Sequence, residues 1–195
     1  MTLSINPIEL KGRWDKGYAL DIHTVSSKYL HDDDWGKPIF DTEYTYMGKL
    51  IHELKYKNRI SAINEIMALV IPFLAETWKI HKEFNAILPM PPSRIRGMQP
   101  VFEIAKRIGE KLNIKSYTDV LYRTSNIELK GLTDDEKQKY SDGIILNREP
   151  KNKRTILLID DLYKSGTTAN AATRVLKENK NIEKVYLLTI TKTRN

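Results

Sequence analysis

Residues 154–176 read RTILLIDDLYKSGTTANAATRVL. The apolar run that ends at Ile159 makes a buried strand over 154–159, two adjacent acids, Asp160 and Asp161, stand at its C-terminal end, and a turn of small residues opens a helix over 165–179. Open α/β sheets bind their ligands at that end of the strands. A phosphate can sit on the backbone N–H groups of Ser165, Gly166, Thr167 and Thr168, because a helix N-terminus carries unpaired donors and partial positive charge, and Gly166 lets the backbone come close. The hydroxyls of Ser165, Thr167 and Thr168 add donors. Asp160 and Asp161 are placed to accept hydrogen bonds from vicinal hydroxyls of a sugar whose 5′-phosphate fills the nest, which is the shape of ribose 5-phosphate. Two plainer readings compete: a strand-end acidic pair with no ligand, and the Walker B aspartate of an NTPase. The second requires a G-x-x-x-x-G-K-[ST] loop, which the chain lacks.

Outward from this segment, the rest of the chain alternates strands and helices. Upstream, Met47, Leu50, Ile51 and Leu54 fall three and four apart, and a wider stripe runs through Ile63, Ile66, Met67, Val70, Ile71 and Leu74, so two helices are expected with a kink or break at Pro72. Residues 84–88 form a short strand stopped by prolines, and Val101, Ile104, Ala105, Ile108 and Leu112 define the next helix. Residues 118–122 and 143–146 are expected as short strands around a polar surface loop, with one helical turn at the capping-box pattern from Thr133 to Glu136. The last strand covers 185–191. The predicted fold is α/β, a mainly parallel sheet flanked by helices on both faces. Residues 1–45 are expected as an N-terminal extension or hood, with one or two strands of unknown partners over 12–30, and residues 46–195 as the main domain.

The stretch ILLIDDLYKSGTT, residues 156–168, resembles the phosphoribosyl pyrophosphate (PRPP) motif of type I phosphoribosyltransferases: four apolar residues, two acids, two mostly apolar residues, then hydroxyl residues around a glycine. Lys164 departs from it, standing where a small hydroxyl residue is usual. More of the chain is similar to the ComF-like branch of that family. YMGKLIHELKYKNR, residues 46–59, resembles its N-terminal helix ending in Leu-Lys-Tyr, and LPMPPSRIRG, residues 88–97, its Pro-Val-Pro loop followed by arginines. Met98, Gln99 and Pro100 replace the Phe-Asn-Gln often found next, Lys137 and Tyr140 stand where Arg-x-x-Asn is common, and the cysteine zinc ribbon of many members is impossible in a chain without cysteine. The resemblance implies a type I phosphoribosyltransferase-like fold, Mg²⁺ brought with PRPP, and displacement of pyrophosphate from the anomeric carbon by an acceptor nitrogen. It implies catalytic roles for Asp160 and Asp161, a 5′-phosphate site at Lys164, Ser165, Gly166, Thr167 and Thr168, and a pyrophosphate loop at Pro91, Pro92, Ser93, Arg94 and Arg96. No residue is expected to ligate the metal directly; water bridges to Asp160 and Asp161 are the expected contact.

For Arg94 and Arg96 a rigid turn with solvated arginines competes evenly with the pyrophosphate role. In residues 123–142 a plain surface loop competes with a closing lid whose cations would be Arg123, Lys130 and Lys137. His23, His31, His52 and His81 are scattered, which argues against a histidine metal site. His31 with Asp32, Asp33 and Asp34 reads as a hydrated acidic loop before it reads as a cation site. Trp14, Trp35 and Trp78 are expected to be packing residues.

The absence of cysteine excludes disulfides, thiolate metal sites and cysteine nucleophiles, and fits a reducing cytoplasm. The longest apolar run, residues 66–75, is broken by Pro72 and falls short of the ~20 residues a membrane helix needs, and no signal core opens the chain. A net charge of +7 attracts polyanions without choosing among them. The expected partners are PRPP and an unidentified acceptor, with a homodimer as a further expectation and no membrane. The rival class is a non-catalytic PRPP or nucleotide sensor, or a nucleic-acid accessory protein. Nucleic acid is the less favoured partner, since Lys and Arg are spread along the chain without a block.

Overall fold

The computed structural model describes residues 5–94, 96–124 and 143–194. Among them, a central sheet is built from β1 (Ile8–Glu9), β2 (Lys16–Ile22), β5 (Ala86–Pro89), β8 (Arg154–Tyr163) and β9 (Ile182–Lys192), in the order β1-β2-β9-β8-β5. All neighbours run parallel except the edge strand β1, as the alternation of strands and helices predicts. Two antiparallel ribbons stand outside it, β3 (Thr24–Asp32) with β4 (Pro38–Tyr44), and β6 (Leu121–Arg123) with β7 (Ile144–Leu146).

The alternation of side chains along the central strands divides the core in two. Leu20, Ile87, Leu157, Ile159, Leu188 and Ile190 face one side, where α1 (Tyr46–Tyr56), α2 (Ala62–Pro72) and α3 (Pro100–Leu112) cover them. Ala19, Ala86, Leu88, Ile156, Leu158, Val185 and Leu187 face the other, under α4 (Thr167–Lys177) and the β6–β7 ribbon. Each buried leucine or isoleucine contributes ~1.5–3 kcal/mol of burial, so this two-sided core accounts for the continuous apolar runs in β8 and β9. The expected break at Pro72 takes a definite form. Lacking an N–H, Pro72 cannot continue the α ladder, and residues Phe73–Thr77 form a π turn closed by Trp78 N–H donating to the Phe73 carbonyl at 2.8 Å.

Two expectations need revision, and the N-terminal strand gains its partner. β8 does not end at Ile159 but runs on to Tyr163, because β9 continues beside it and pairs Asp160 with Thr189, Leu162 with Thr191 and Tyr163 with Lys192. In the N-terminal third, β2 is a full member of the central sheet, paired in parallel with β9 from Lys16↔Tyr186 to Ile22↔Lys192, while the β3–β4 hairpin forms a separate two-stranded sheet. A division at residue 45 has β2 on one side and its sheet partner β9 on the other. Trp14 and Trp78 are buried as expected, but Trp35 is 95% exposed at the tip of the hairpin and packs nothing. Residues 130, 133–136 and 137 of the polar loop lie outside the described residues. Among the described residues no helix is long and apolar enough to cross a membrane.

Candidate active site

The cleft follows from strand lengths. β5 stops at Pro89, opposite Ile159, and its last tie to β8 is the Met90 N–H donating to the Ile159 carbonyl at 2.8 Å. Pro91 and Pro92 offer no N–H for further pairing, so the chain turns away while β8 continues for four more residues beside β9. The gap left beside those four residues is a pocket of about 480 Å³. Every site residue named from the sequence lines it: Asp160 and Asp161; Lys164, Ser165, Gly166, Thr167 and Thr168; Pro91, Pro92, Ser93, Arg94 and Arg96. Arg123, on β6, lines it too, whereas Lys130 and Lys137 fall outside the described residues.

The acids are not equivalent. The Asp161 N–H donates to Asp160 Oδ1 at 2.8 Å, and Lys55 Nζ stands 2.8 Å from Asp161 Oδ2. Burial, reinforced by the negative charge of Asp161, pushes the Asp160 carboxyl up to about 7, against the opposing pull of the Asp161 N–H, Lys55 and Arg123. Behind the pair, the Thr191 hydroxyl donates to the Asp161 carbonyl at 3.0 Å and lies 3.0 Å from His23 Nδ1. With its proton so used, Thr191 accepts from His23, which assigns the Nδ1–H tautomer. Burial and the nearby Lys55 charge lower the His23 pKa, against the opposing pull of Asp161.

The turn into α4, the candidate phosphate nest, rests on one backbone angle. Gly166 has φ +77° and caps α4, whose first turn contains no acid to compete for its amides. A Cβ at this position would overlap the ring and hydroxyl of Tyr163, which is itself held edge-on against Trp14 at 6.1 Å. Ser165 and Thr167 hydroxyls lie 2.9 Å apart at the mouth of the nest. Across the cleft, the proline loop is tied down at two carbonyls: Arg123 Nε donates to Pro91 at 3.0 Å and Gln99 Nε2 to Arg94 at 3.2 Å. Arg94 and Arg96 thus border the same cleft as the acids.

Sequence reasoning gave Lys55 no role beyond its place in the Leu-Lys-Tyr resemblance. Its position is set by Gly48, whose missing side chain lets α1 lie directly on the His23 carbonyl; a Cβ there would collide with that oxygen. Thr45 pins the same end, donating to the Ile22 carbonyl at 2.7 Å and accepting from the Gly48 N–H at 3.0 Å. Two turns after Gly48, Lys55 emerges on the same side of the helix and meets Asp161. A lysine four residues after Ile51, on the edge of the buried stripe, was the available signal. Tyr56, Gln99 and Tyr163 also line the cleft without having been given a role from the sequence.

Among the described residues no three His, Cys, Asp or Glu side chains converge on one point. Asp161 is engaged by Lys55, so of the two carboxyls Asp160 is the one without a cation already beside it at ion-pair distance.

The chain matches no protein-family model and no curated protein. Among solved structures it is similar to adenine phosphoribosyltransferase from Saccharomyces cerevisiae, complexed with an imino-altritol bisphosphate and adenine (TM-score 0.48, 9% identity, 85% of this chain and 84% of that one). It is also similar to adenine phosphoribosyltransferase from Thermoanaerobacter pseudethanolicus (0.47, 14%, 85% and 95%) and orotate phosphoribosyltransferase from Aeropyrum pernix (0.42, 10%, 84% and 87%).

Proposed function

We propose that this protein binds PRPP and transfers its phosphoribosyl group to a nitrogen acceptor, releasing pyrophosphate. The observation that carries the reading is the meeting, in one cleft, of the Asp160–Asp161 pair, a glycine-capped helix N-terminus and an arginine-bearing loop. Each suits one part of the ligand. The amides opening α4 take the 5′-phosphate. The carboxylates take the two ribose hydroxyls, with Lys55 holding Asp161 in place. Arg94 and Arg96 lie on the far wall, where the diphosphate would extend. Mg²⁺, when bound with the diphosphate, neutralises the charge of the leaving group.

In the transfer, the acceptor nitrogen attacks the anomeric carbon as the bond to the pyrophosphate oxygen breaks, through a transition state with oxocarbenium character. The negative charge at Asp161 lies beside the sugar, where it favours developing positive charge, and the arginines favour the departing anion. The ComF-like resemblance of residues 46–59 and 88–97 supports the assignment to that branch.

Calorimetry with PRPP and Mg²⁺ tests the proposal. Saturable binding is expected in the native chain and loss of it in Asp160→Asn/Asp161→Asn; equal affinity in the double variant would place the ribose elsewhere. Pyrophosphate release with a pool of bases and amines separates the enzyme from a sensor, because a sensor binds PRPP without releasing pyrophosphate.

A further inference from the structure

The β3–β4 hairpin is ordered with almost nothing packed on it. All of β3 after Thr24 is exposed, and so are Pro38–Asp41 of β4. An isolated two-stranded ribbon is marginal in water, so its sequence should show what covers it. The register places Tyr29 opposite Phe40, Ser27 opposite Thr42 and Asp32 opposite Pro38, giving one face that is aromatic and nearly free of charge. Tyr29 and Phe40 meet edge to face at 5.8 Å while each leaves about half its surface in solvent, 52% and 50%, and Trp35 crowns the tip. The arm is acidic: Asp32, Asp33, Asp34, Asp41 and Glu43 outnumber Lys28 and Lys37 in a chain whose total is +7. That sign repels nucleic acid and anionic lipid and suits a basic surface.

The same chain carries such a surface. Between α2 and α3 lies a groove of about 660 Å³ with Met67, Ala68, Ile71 and Pro72 along one wall and Arg107 and Lys111 on the other. Its volume is in the range of pockets that enclose a ligand, ~300–1,000 Å³. Glu110 also borders it, but is drawn 3.2 Å from Arg107. The arm of one molecule does not fill its own groove, since Trp35 and Phe40 stand in solvent.

We propose that two copies of this chain associate by reciprocal exchange, the β3–β4 arm of each seating Trp35 and its aromatic face in the α2–α3 groove of the other, with the arm's aspartates against Arg107 and Lys111. Two identical contacts related by a two-fold axis close the assembly as a dimer. The docking is independent of the phosphoribosyl reading.

Sedimentation velocity over a concentration series tests it with three chains: native, Trp35→Ser/Phe40→Ser in the arm, and Ala68→Glu in the groove. All three substitutions sit on exposed positions, and circular dichroism checks that each variant keeps the native fold. The native chain is expected to dimerise, and each variant alone to dissociate about thirtyfold more readily or worse, the scale of losing an aromatic interface residue. Mixing the two variants should restore a heterodimer, because the intact arm of the groove variant meets the intact groove of the arm variant. A native chain that stays monomeric overturns the proposal. So does an arm variant or an Ala68→Glu variant that dimerises normally, or a mixture that fails to associate, which would point to arm-against-arm pairing.

Discussion

The β8–α4 turn and the β5–α3 loop leave the same edge of the sheet and face each other across one cleft, yet they are built on opposite plans. The first passes from strand to helix in three residues, Lys164, Ser165 and Gly166, and the residue that sets the backbone angle also lines the cleft. The second spends residues 90–99 between Pro89 and Pro100 and is held by side-chain hydrogen bonds, one from Arg123 on β6 and one from its own Gln99. Conformation and chemistry coincide in the first and separate in the second. A ligand-binding turn of the first kind is intolerant of substitution, and one of the second kind is adjustable.

The largest effect should come from putting the same side chain into both. Gly166→Val forces a β-branched residue to φ +77° and into Tyr163, and is expected to cost about a hundredfold or more in affinity for both ribose 5-phosphate and PRPP. Gly97→Val, in the arginine loop, meets open space at a glycine without positive φ and should bind nearly as the native protein does. Parallel calorimetry of the two variants checks this; equal losses would erase the distinction.

Second is a stability effect confined to the β8 side. The Asp160 carboxyl is raised to about 7 in the folded protein against 3.8 ordinarily, so the folded state holds a proton that the unfolded chain has released. Its contribution is therefore intact below about pH 4, is lost as pH rises toward 7, and stays lost above. Asp160→Asn should leave the melting temperature unchanged at pH 3.5 and raise it increasingly between pH 4 and 7, with a plateau beyond. A melting curve that shifts equally at all pH values would mean the carboxyl is not strained. The native residue then gives up stability at neutral pH, a trade-off found where a group serves function rather than folding.

Third is Lys55→Met, expected to weaken PRPP binding about tenfold, near the low end for a charge-assisted hydrogen bond. If the lysine acts through Asp161, the same change in an Asp161→Asn background should cost almost nothing further. A full tenfold loss in that background would make Lys55 a direct ligand contact.

The contrast between the turns also explains what could be read from sequence. The 156–168 segment was legible because its apolar run, acids and glycine act on near neighbours, and α1, α2 and α3 were legible from apolar spacing alone. What escaped depends on pairings between distant residues. β8 extends past Ile159 only because β9 runs beside it, β2 joins the sheet by pairing Lys16 with Tyr186, and Lys55 reaches Asp161 only because Gly48 admits α1 against His23. Trp35 was misjudged because a tryptophan's bulk predicts burial within one chain and says nothing of burial between two.

The smallest effect belongs to the arginine loop, and it tests whether the two walls divide one ligand between them. Arg94 and Arg96 are exposed or half-exposed at the rim, where solvent screens their charge, so Arg94→Ala or Arg96→Ala should each reduce PRPP affinity by only a few-fold, about 1 kcal/mol or less. The division of labour shows in the choice of ligand. Ribose 5-phosphate has no diphosphate to extend toward the loop, so its affinity should be unchanged in both variants, while Gly166→Val weakens both ligands alike. Added salt should shrink the arginine effect and leave the glycine effect, since the first is Coulombic and exposed and the second is steric. If either arginine variant loses ribose 5-phosphate and PRPP in the same proportion, the loop is acting on the 5′-phosphate or on the whole anion, and the pyrophosphate assignment for residues 91–96 fails while the nest at Gly166 stands.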